Sequence, residues 1–225
     1  MESISFPFVR PWTVYIPSVI RYLDDVFVDA FFEKGTLRLS SFKKFRQHTD
    51  EQRGDTGEGS ISMEIHTPNS HHVVAGYNGQ EVYVLCGSTI NSSEVMKAFG
   101  GAGSGIKINK PLSFAEAVSR KIPEFVGGFQ GSCIYTDERS VRRDSPYIFS
   151  PPPENDEAEG EKWAEDNDRF LAQQNPQESL LLKPMRYANQ SEYRFLWFAT
   201  GLEKDHIDIE CPEARQFCEK VTYPA

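Results

Sequence analysis

Leu182-Lys-Pro-Met-Arg-Tyr-Ala-Asn-Gln-Ser-Glu-Tyr-Arg-Phe-Leu-Trp-Phe-Ala199 is the stretch whose reading decides the fold. Its second half carries Tyr193, Phe195, Trp197 and Phe198, bulky residues that suit a pleated surface, and predicts a strand. Side chains alternate across a strand, so Gln190, Glu192 and Arg194 share one face while Ser191, Tyr193, Phe195 and Trp197 share the other. The aromatic row is the natural core face. Glu192 then opens what reads as an interior strand, and a carboxylate there needs a cation or a chemical task. The preceding Pro-Met-Arg-Tyr-Ala-Asn segment reads as a loop that presents Tyr187 just ahead of Gln190 and Glu192.

Upstream of this stretch the chain changes character. Ser-Pro-Pro-Pro is followed by Glu-Asn-Asp-Glu-Ala-Glu-Gly-Glu-Lys, an acidic insertion at about 150–162 expected to be flexible, because it has little apolar surface to bury. Trp163 to Gln174 predicts a helix. Downstream, His206–Glu210 predicts a strand, and Pro212 at a first helical position opens a helix.

The N-terminal half offers a compact unit. Residues 1–17 are punctuated by Pro7, Pro11 and Pro17 and read as an extended arm. Val19–Leu23 is a strand, and Asp24 caps a helix to about Lys34 whose apolar positions are Val26, Phe27, Ala30 and Phe31. Gly35 stands where a helix-ending glycine belongs, and Thr36–Ser40 is the next strand. Residues 42–60 combine a short basic segment (Lys43, Lys44, Arg46) with a glycine-spaced loop bearing Arg53, Asp55 and Glu58. That loop is either a solvated turn or a lid over a site. Strands follow at 60–66, 72–77 and 81–85, and Asn78-Gly79 predicts a hairpin between the last two. Asn91-Ser92-Ser93 caps a helix from Glu94 to Phe99, Ile106–Ile108 is a strand, and Ser113-x-x-Glu116 is a capping box for a helix ending near Ile122. Many short strands with a few helices give one α+β domain of split, mostly antiparallel sheets with peripheral helices.

Composition narrows the function classes. The chain has 225 residues, 39% hydrophobic and 12% aromatic, which suffices to bury a real core. No apolar run reaches the length of a membrane span, and Met-Glu-Ser-Ile-Ser lacks a basic leader, so a cytoplasmic protein is expected. A net charge of −9 argues against a large duplex-binding surface while allowing a local basic patch. Cys86, Cys133, Cys211 and Cys218 fit no zinc pattern and read as free thiols, with a Cys211–Cys218 link left open. His71-His72 reads as a hairpin pair rather than a metal site, and no metal is expected.

Three features in order carry a resemblance. Arg21 lies on the first strand of the compact unit, Ser88-Thr89 ends a middle strand, and Gln190-x-Glu192 opens a late one. This resembles the Arg, Ser-Thr, Gln/Glu-x-Glu pattern of mono-ADP-ribosyltransferase toxins. The Arg-Tyr strand, the Lys-Gly-Thr-Leu-Arg-Leu unit and the Lys183…Glu192-Tyr193-Arg194 ending also resemble uncharacterised bacterial proteins found with phage-defence and toxin–antitoxin genes. The resemblance implies an ADP-ribosyltransferase-like fold, NAD as substrate, a possible antitoxin protein partner, and a nucleic acid or protein acceptor.

It also implies roles. Breaking the glycosidic bond of NAD builds positive charge on the ribose, which Glu192 would stabilise with support from Ser88. Arg21 would hold the pyrophosphate, with Arg38 on the next strand as the competing candidate and Thr89 beside it. Tyr22 or Tyr193 would stack on nicotinamide. Gln190 would orient the acceptor, Tyr187 would stack on it, and Lys183 would bind it. A Gln at this place goes with guanine or asparagine acceptors rather than arginine. Each residue has a plainer reading. Arg21 could pair with Asp24 or Asp25, Ser88 and Thr89 could only cap, Glu192–Arg194 could be a surface ion pair, and Lys183 could be exposed.

Overall fold

The computed structural model describes residues 1–6, 12–46, 57–77, 79–99, 103–148, 157–173, 177–201 and 204–223. In chain order the strands are β1 (Glu2–Phe6), β2 (Trp12–Ile16), β3 (Val19–Leu23), β4 (Thr36–Ser41), β5 (Ser60–His66), β6 (His71–Tyr77), β7 (Val82–Ser88), β8 (Ser104–Ile108), β9 (Phe125–Ser132), β10 (Ile134–Tyr135), β11 (Ser140–Asp144), β12 (Leu182–Lys183), β13 (Glu192–Ala199), β14 (His206–Glu210) and β15 (Cys218–Thr222). The α-helices are α1 (Asp25–Lys34), α2 (Phe42–Arg46), α3 (Ser93–Ala98), α4 (Pro111–Ser119) and α5 (Glu157–Gln173).

β13 is the expected interior strand. It pairs antiparallel with β7 along one edge and with β9 along the other. Its odd-numbered side chains, Tyr193, Phe195 and Trp197, join Tyr83 and Leu85 of β7 in the main core. That core is roofed by Val28 and Phe31 of α1 and by Phe114 and Val118 of α4. Trp197 keeps its one polar atom satisfied there, donating Nε1–H to the Ala115 carbonyl at 3.1 Å. The opposite face of the same pair is apolar only at one end, where Val82, Val84 and Leu196 meet Phe42 and Leu180. At the other end it carries Glu192 and Arg194 opposite Ser88 and Cys86. The sheet is thus covered on both faces, and Glu192 and Arg194 are buried with it.

The second edge of β7 is divided. β4 takes Tyr83 and Val84, and β3 takes Ser88. Between those contacts the eight-stranded sheet opens, since β4 leads outward to β14 and β3 leads to β8 and β15. Gly87 permits the close approach of β3: a Cβ there would lie 2.6 Å from Val19 Cγ1 and 2.8 Å from the Ile20 carbonyl oxygen. Phe42, at the turn from β4 into α2, fills the apolar side of the opening.

The expected α+β class with mostly antiparallel strands is what forms; parallel pairing occurs only between β10 and β12 and between β11 and β5 among the described residues. Several local expectations differ. Asn78 of the expected hairpin lies outside the described residues, and the strands on either side do not pair with each other: β6 pairs with β5 across a turn at Thr67–Ser70, and β7 belongs to the central sheet. There Thr67 Oγ1 accepts from the Ser70 amide and fixes the turn instead. Ser113 does not cap α4; the helix starts at Pro111, and the Glu2 carboxylate of the N-terminal arm accepts from the Leu112 and Ser113 amides. The arm itself is an antiparallel β1–β2 ladder. Helix α1 buries Val28 and Phe31 but leaves Val26 and Phe27 exposed. The acidic insertion is helical from Glu157 onward, so 157–161 belong to α5, while 150–156 lie outside the described residues. All four cysteines are free thiols. No described helix is long and apolar enough to cross a membrane.

Candidate functional site

Where β3 and β4 part along β7, a cavity of about 270 Å³ opens. Its charged lining comprises Arg21, Lys44, Lys183 and Arg194 on the cationic side and Asp24, Glu58 and Glu192 on the anionic side. Tyr22, Phe27, Phe42 and Phe99 supply aromatic surface.

The floor is an ion network organised by a turn. Met185–Gln190 is a 3₁₀ helix rather than a loop, and Ser191 follows it in the left-handed region at φ 43°. That reversal brings Gln190, which is not on the strand, to the same lysine as Glu192. Lys183 donates Nζ–H to Gln190 Oε1 at 2.8 Å and to Glu192 Oε2. The other carboxylate oxygen accepts from Arg194 Nε at 2.6 Å. Arg194 continues through Nη1 to the Leu180 carbonyl at 2.6 Å and to Glu58 at 2.6 Å. All four charges are buried: Glu192 and Arg194 are 2% exposed, Glu58 3% and Lys183 8%. Burial alone would push Glu192 up, but Arg194 and Lys183 outweigh it and hold its pKa down at about 2. Burial alone would lower Lys183, and Glu192 overrides it to keep the ammonium charged. Arg194 is likewise driven down by burial and back up by nearby acidic groups, Glu58 and Glu192 among them. Two acids and two bases cancel, which is the condition under which buried charge survives. The turn's backbone is anchored too. Thr89 N–H donates to the Ser191 carbonyl at 3.0 Å, and Glu192 N–H donates to the Tyr135 hydroxyl at 2.6 Å.

The wall opposite is different. Arg21, partly buried, donates Nη1–H to the Cys86 carbonyl at 3.2 Å, the acceptor left free by the parting of the sheet. It forms no ion pair with Asp24, Asp25 or any other described carboxylate. Burial lowers its pKa, and the neighbouring Cys86 thiol offsets this only in part; no carboxylate contributes. Cys86 next to it is an inert thiol, its pKa raised by burial.

The expected site residues therefore separate into groups. Glu192, Gln190, Lys183, Arg21 and Tyr22 come together around one cavity. Tyr22 is fixed there by its hydroxyl, which donates to the Ile90 carbonyl at 2.7 Å. Lys183 is not on an exposed acceptor surface; it is the buried counter-ion of Glu192. Ser88 faces Glu192 in register, yet its hydroxyl accepts from the Ile90 amide at 3.1 Å and so serves the turn into α3. Thr89 holds the Ser191 turn rather than lining the cavity. Tyr193 points into the main core, 5% exposed, on the face away from Glu192. Arg38 pairs with Asp208 on the outer β4–β14 edge, half exposed. Tyr187 is 5% exposed, its ring 4.9 Å from both Lys183 Nζ and the Arg186 guanidinium, so it presents no open stacking face.

Two contributors escaped the sequence reading. Phe27, placed by helical spacing in the core, is 57% exposed and lines the cavity. Glu58 was one of several loop acids with nothing to single it out. Its burial beside Arg194 supports the reading of that loop as part of a site; Arg53 and Asp55 lie outside the described residues.

Compared with known protein families, with characterised proteins and with solved structures, the chain matches none.

Proposed function

We propose that the protein is an NAD-dependent ADP-ribosyltransferase that modifies a nucleic acid base, guanine first, as a toxin in phage defence restrained by an antitoxin protein. The observation that carries this reading is Arg21. An arginine sunk into a cavity wall without a carboxylate partner among the described residues is the arrangement expected of a phosphate-binding group. The negative charge it lacks would come from the ligand. The cavity, bounded by described residues, sits just below the usual range of small-ligand sites, roughly 300–1,000 Å³. That volume suits the nicotinamide–ribose–phosphate half of a dinucleotide better than the whole.

NAD brings its own leaving group, and positive charge develops on the ribose as that group departs. Glu192, fully ionised at neutral pH, is the carboxylate that would face this charge, and Lys183 and Arg194 would keep it deprotonated and oriented. Gln190, held by Lys183, would offer its amide to the acceptor. Phe27, rather than Tyr187, is the exposed aromatic positioned to stack on an unpaired base, a contact of about 1–3 kcal/mol.

A second reading has one observation in its favour. Each Glu192 oxygen already accepts a hydrogen bond from a cation, which weakens its pull on a developing positive charge. This suits a catalytically silent NAD-binding module. Incubation with NAD⁺ labelled on the adenylate, followed by separation into nucleic acid and protein fractions, tests both. The transferase reading expects label in nuclease-sensitive material, lost in Glu192→Gln. Saturable NAD⁺ binding without any transfer would select the silent module, and label confined to protein would move the acceptor to a side chain such as asparagine.

A further inference from the structure

The one group of at least three potential metal-ligating side chains among the described residues lies where β5 and β6 meet their turn, and none of its members lines the cavity. We propose that Glu64, His66 and His71 bind a single divalent transition-metal ion of the zinc type. His66 and His71 are directly opposed in the antiparallel register, so their side chains leave the sheet on the same face. Their rings stack at 4.3 Å between centroids and 27° between planes. Glu64 stands two residues before His66 and therefore on that face as well, with Oε2 3.6 Å from His66 Nε2. One donor atom from each residue falls within a common span of 4.8 Å.

Zinc bonds of about 2.0–2.2 Å place tetrahedral donors roughly 3.4 Å apart, so closure needs ring rotations and no backbone movement. A second observation points to a ligand. His66 Nε2 is shielded from solvent and takes no hydrogen bond from any described group. A buried ring nitrogen without a partner loses its hydration for nothing, and a metal would restore a bond to it. The neighbouring parallel strand adds a fourth candidate. Asp144 lies in register with His66 and pairs with Arg142 at 3.4 Å. Two imidazoles and one or two carboxylates suit zinc and its neighbours better than calcium or magnesium, which prefer oxygen alone. The adjacent His71-His72 pair noted in the sequence is not the site: His72 Nε2 is bonded to Ser70 Oγ at 2.8 Å.

The intact chain, stripped with chelator, should bind one Zn²⁺ in a calorimetric titration, and its melting temperature should rise with added Zn²⁺. His66→Ala and His71→Ala should each weaken binding at least about tenfold, the size that disturbing even the outer shell of a metal site produces. His72→Ala should bind like the parent. Glu64→Gln, a milder change on a half-exposed position, repeats the test if a histidine variant does not fold. The proposal is overturned if the parent shows no saturable Zn²⁺ binding, or if the Glu64, His66 and His71 variants all bind as it does.

Discussion

Arg194 and Arg21 line the same cavity under opposite terms. Arg194, 2% exposed, sits between Glu192 and Glu58 and also reaches the Leu180 carbonyl. Arg21 has one carbonyl and no described carboxylate. The first wall is electrically complete and belongs to the architecture. The second carries one unbalanced positive charge in a place that costs solvation energy, and so belongs to whatever enters. A charge that the fold does not need is better evidence of ligand binding than a charge that the fold cannot do without.

The sharpest way to break this contrast is to remove Arg194. Arg194→Leu fills a similar volume but leaves two buried carboxylates, Glu58 and Glu192, with Lys183 as their one remaining cation in the network, and removing one partner of a buried pair costs about 3–5 kcal/mol. Chemical denaturation should show a loss of that size. A loss below about 1 kcal/mol, the range of surface pairs, would mean that water reaches the network and the two walls are alike.

Acid should act on the same wall. Glu192 has a folded pKa of about 2, below its ordinary 4.5. A depressed carboxylate stabilises the fold fully above its unfolded pKa, and that stability is lost as pH falls through the folded value. The contribution is on the order of 3 kcal/mol, complete above about pH 4.5 and gone near pH 2. The stability gap between the parent protein and Glu192→Gln should therefore narrow as the solution is acidified across that window. A gap independent of pH would show that Glu192 is not held ionised by its neighbours. The same coupling means that Glu192→Gln will lose stability as well as any activity, because Lys183 and Arg194 lose half of their compensation.

The strand reading of 192–199 was legible because alternation and bulk are local properties, and the aromatic row went where it was expected. The oddity of Glu192 was legible for the same reason. What the sequence left hidden depended on contacts between distant segments. Nothing near Lys183 marks it as buried, since its environment is made by Gln190 and Glu192 through a turn at Ser191 that a serine rarely adopts. Ser88 and Thr89 read equally well as site or cap, and only the third dimension showed them holding the turns on either side of the network. Phe27 was misplaced because helical spacing gives a face, not which of two neighbours that face meets. Glu2 capping α4 across about 110 residues could not be inferred from any local pattern.

The smallest effect discriminates most between the two arginines that the resemblance left in competition. Arg38 forms a two-point pair with Asp208 at 2.7 and 2.9 Å, but both side chains are about half exposed. Such pairs contribute about 0–1 kcal/mol, since water solvates the separated charges nearly as well. Arg38→Ala should thus change stability by less than about 1 kcal/mol and leave the affinity for pyrophosphate or NAD⁺ where it was. Arg21→Ala should barely alter stability either, because no described ion pair is broken and a poorly solvated cation is relieved. Its affinity for the same ligands should drop by about 1.5–3 kcal/mol, roughly ten- to a hundredfold, as expected for lost charged hydrogen bonds. Fluorescence or calorimetric titration of the two variants side by side decides the matter. Equal affinities in both would remove Arg21 from the ligand, and a drop in Arg38→Ala alone would move the anion site to the outer edge of the sheet.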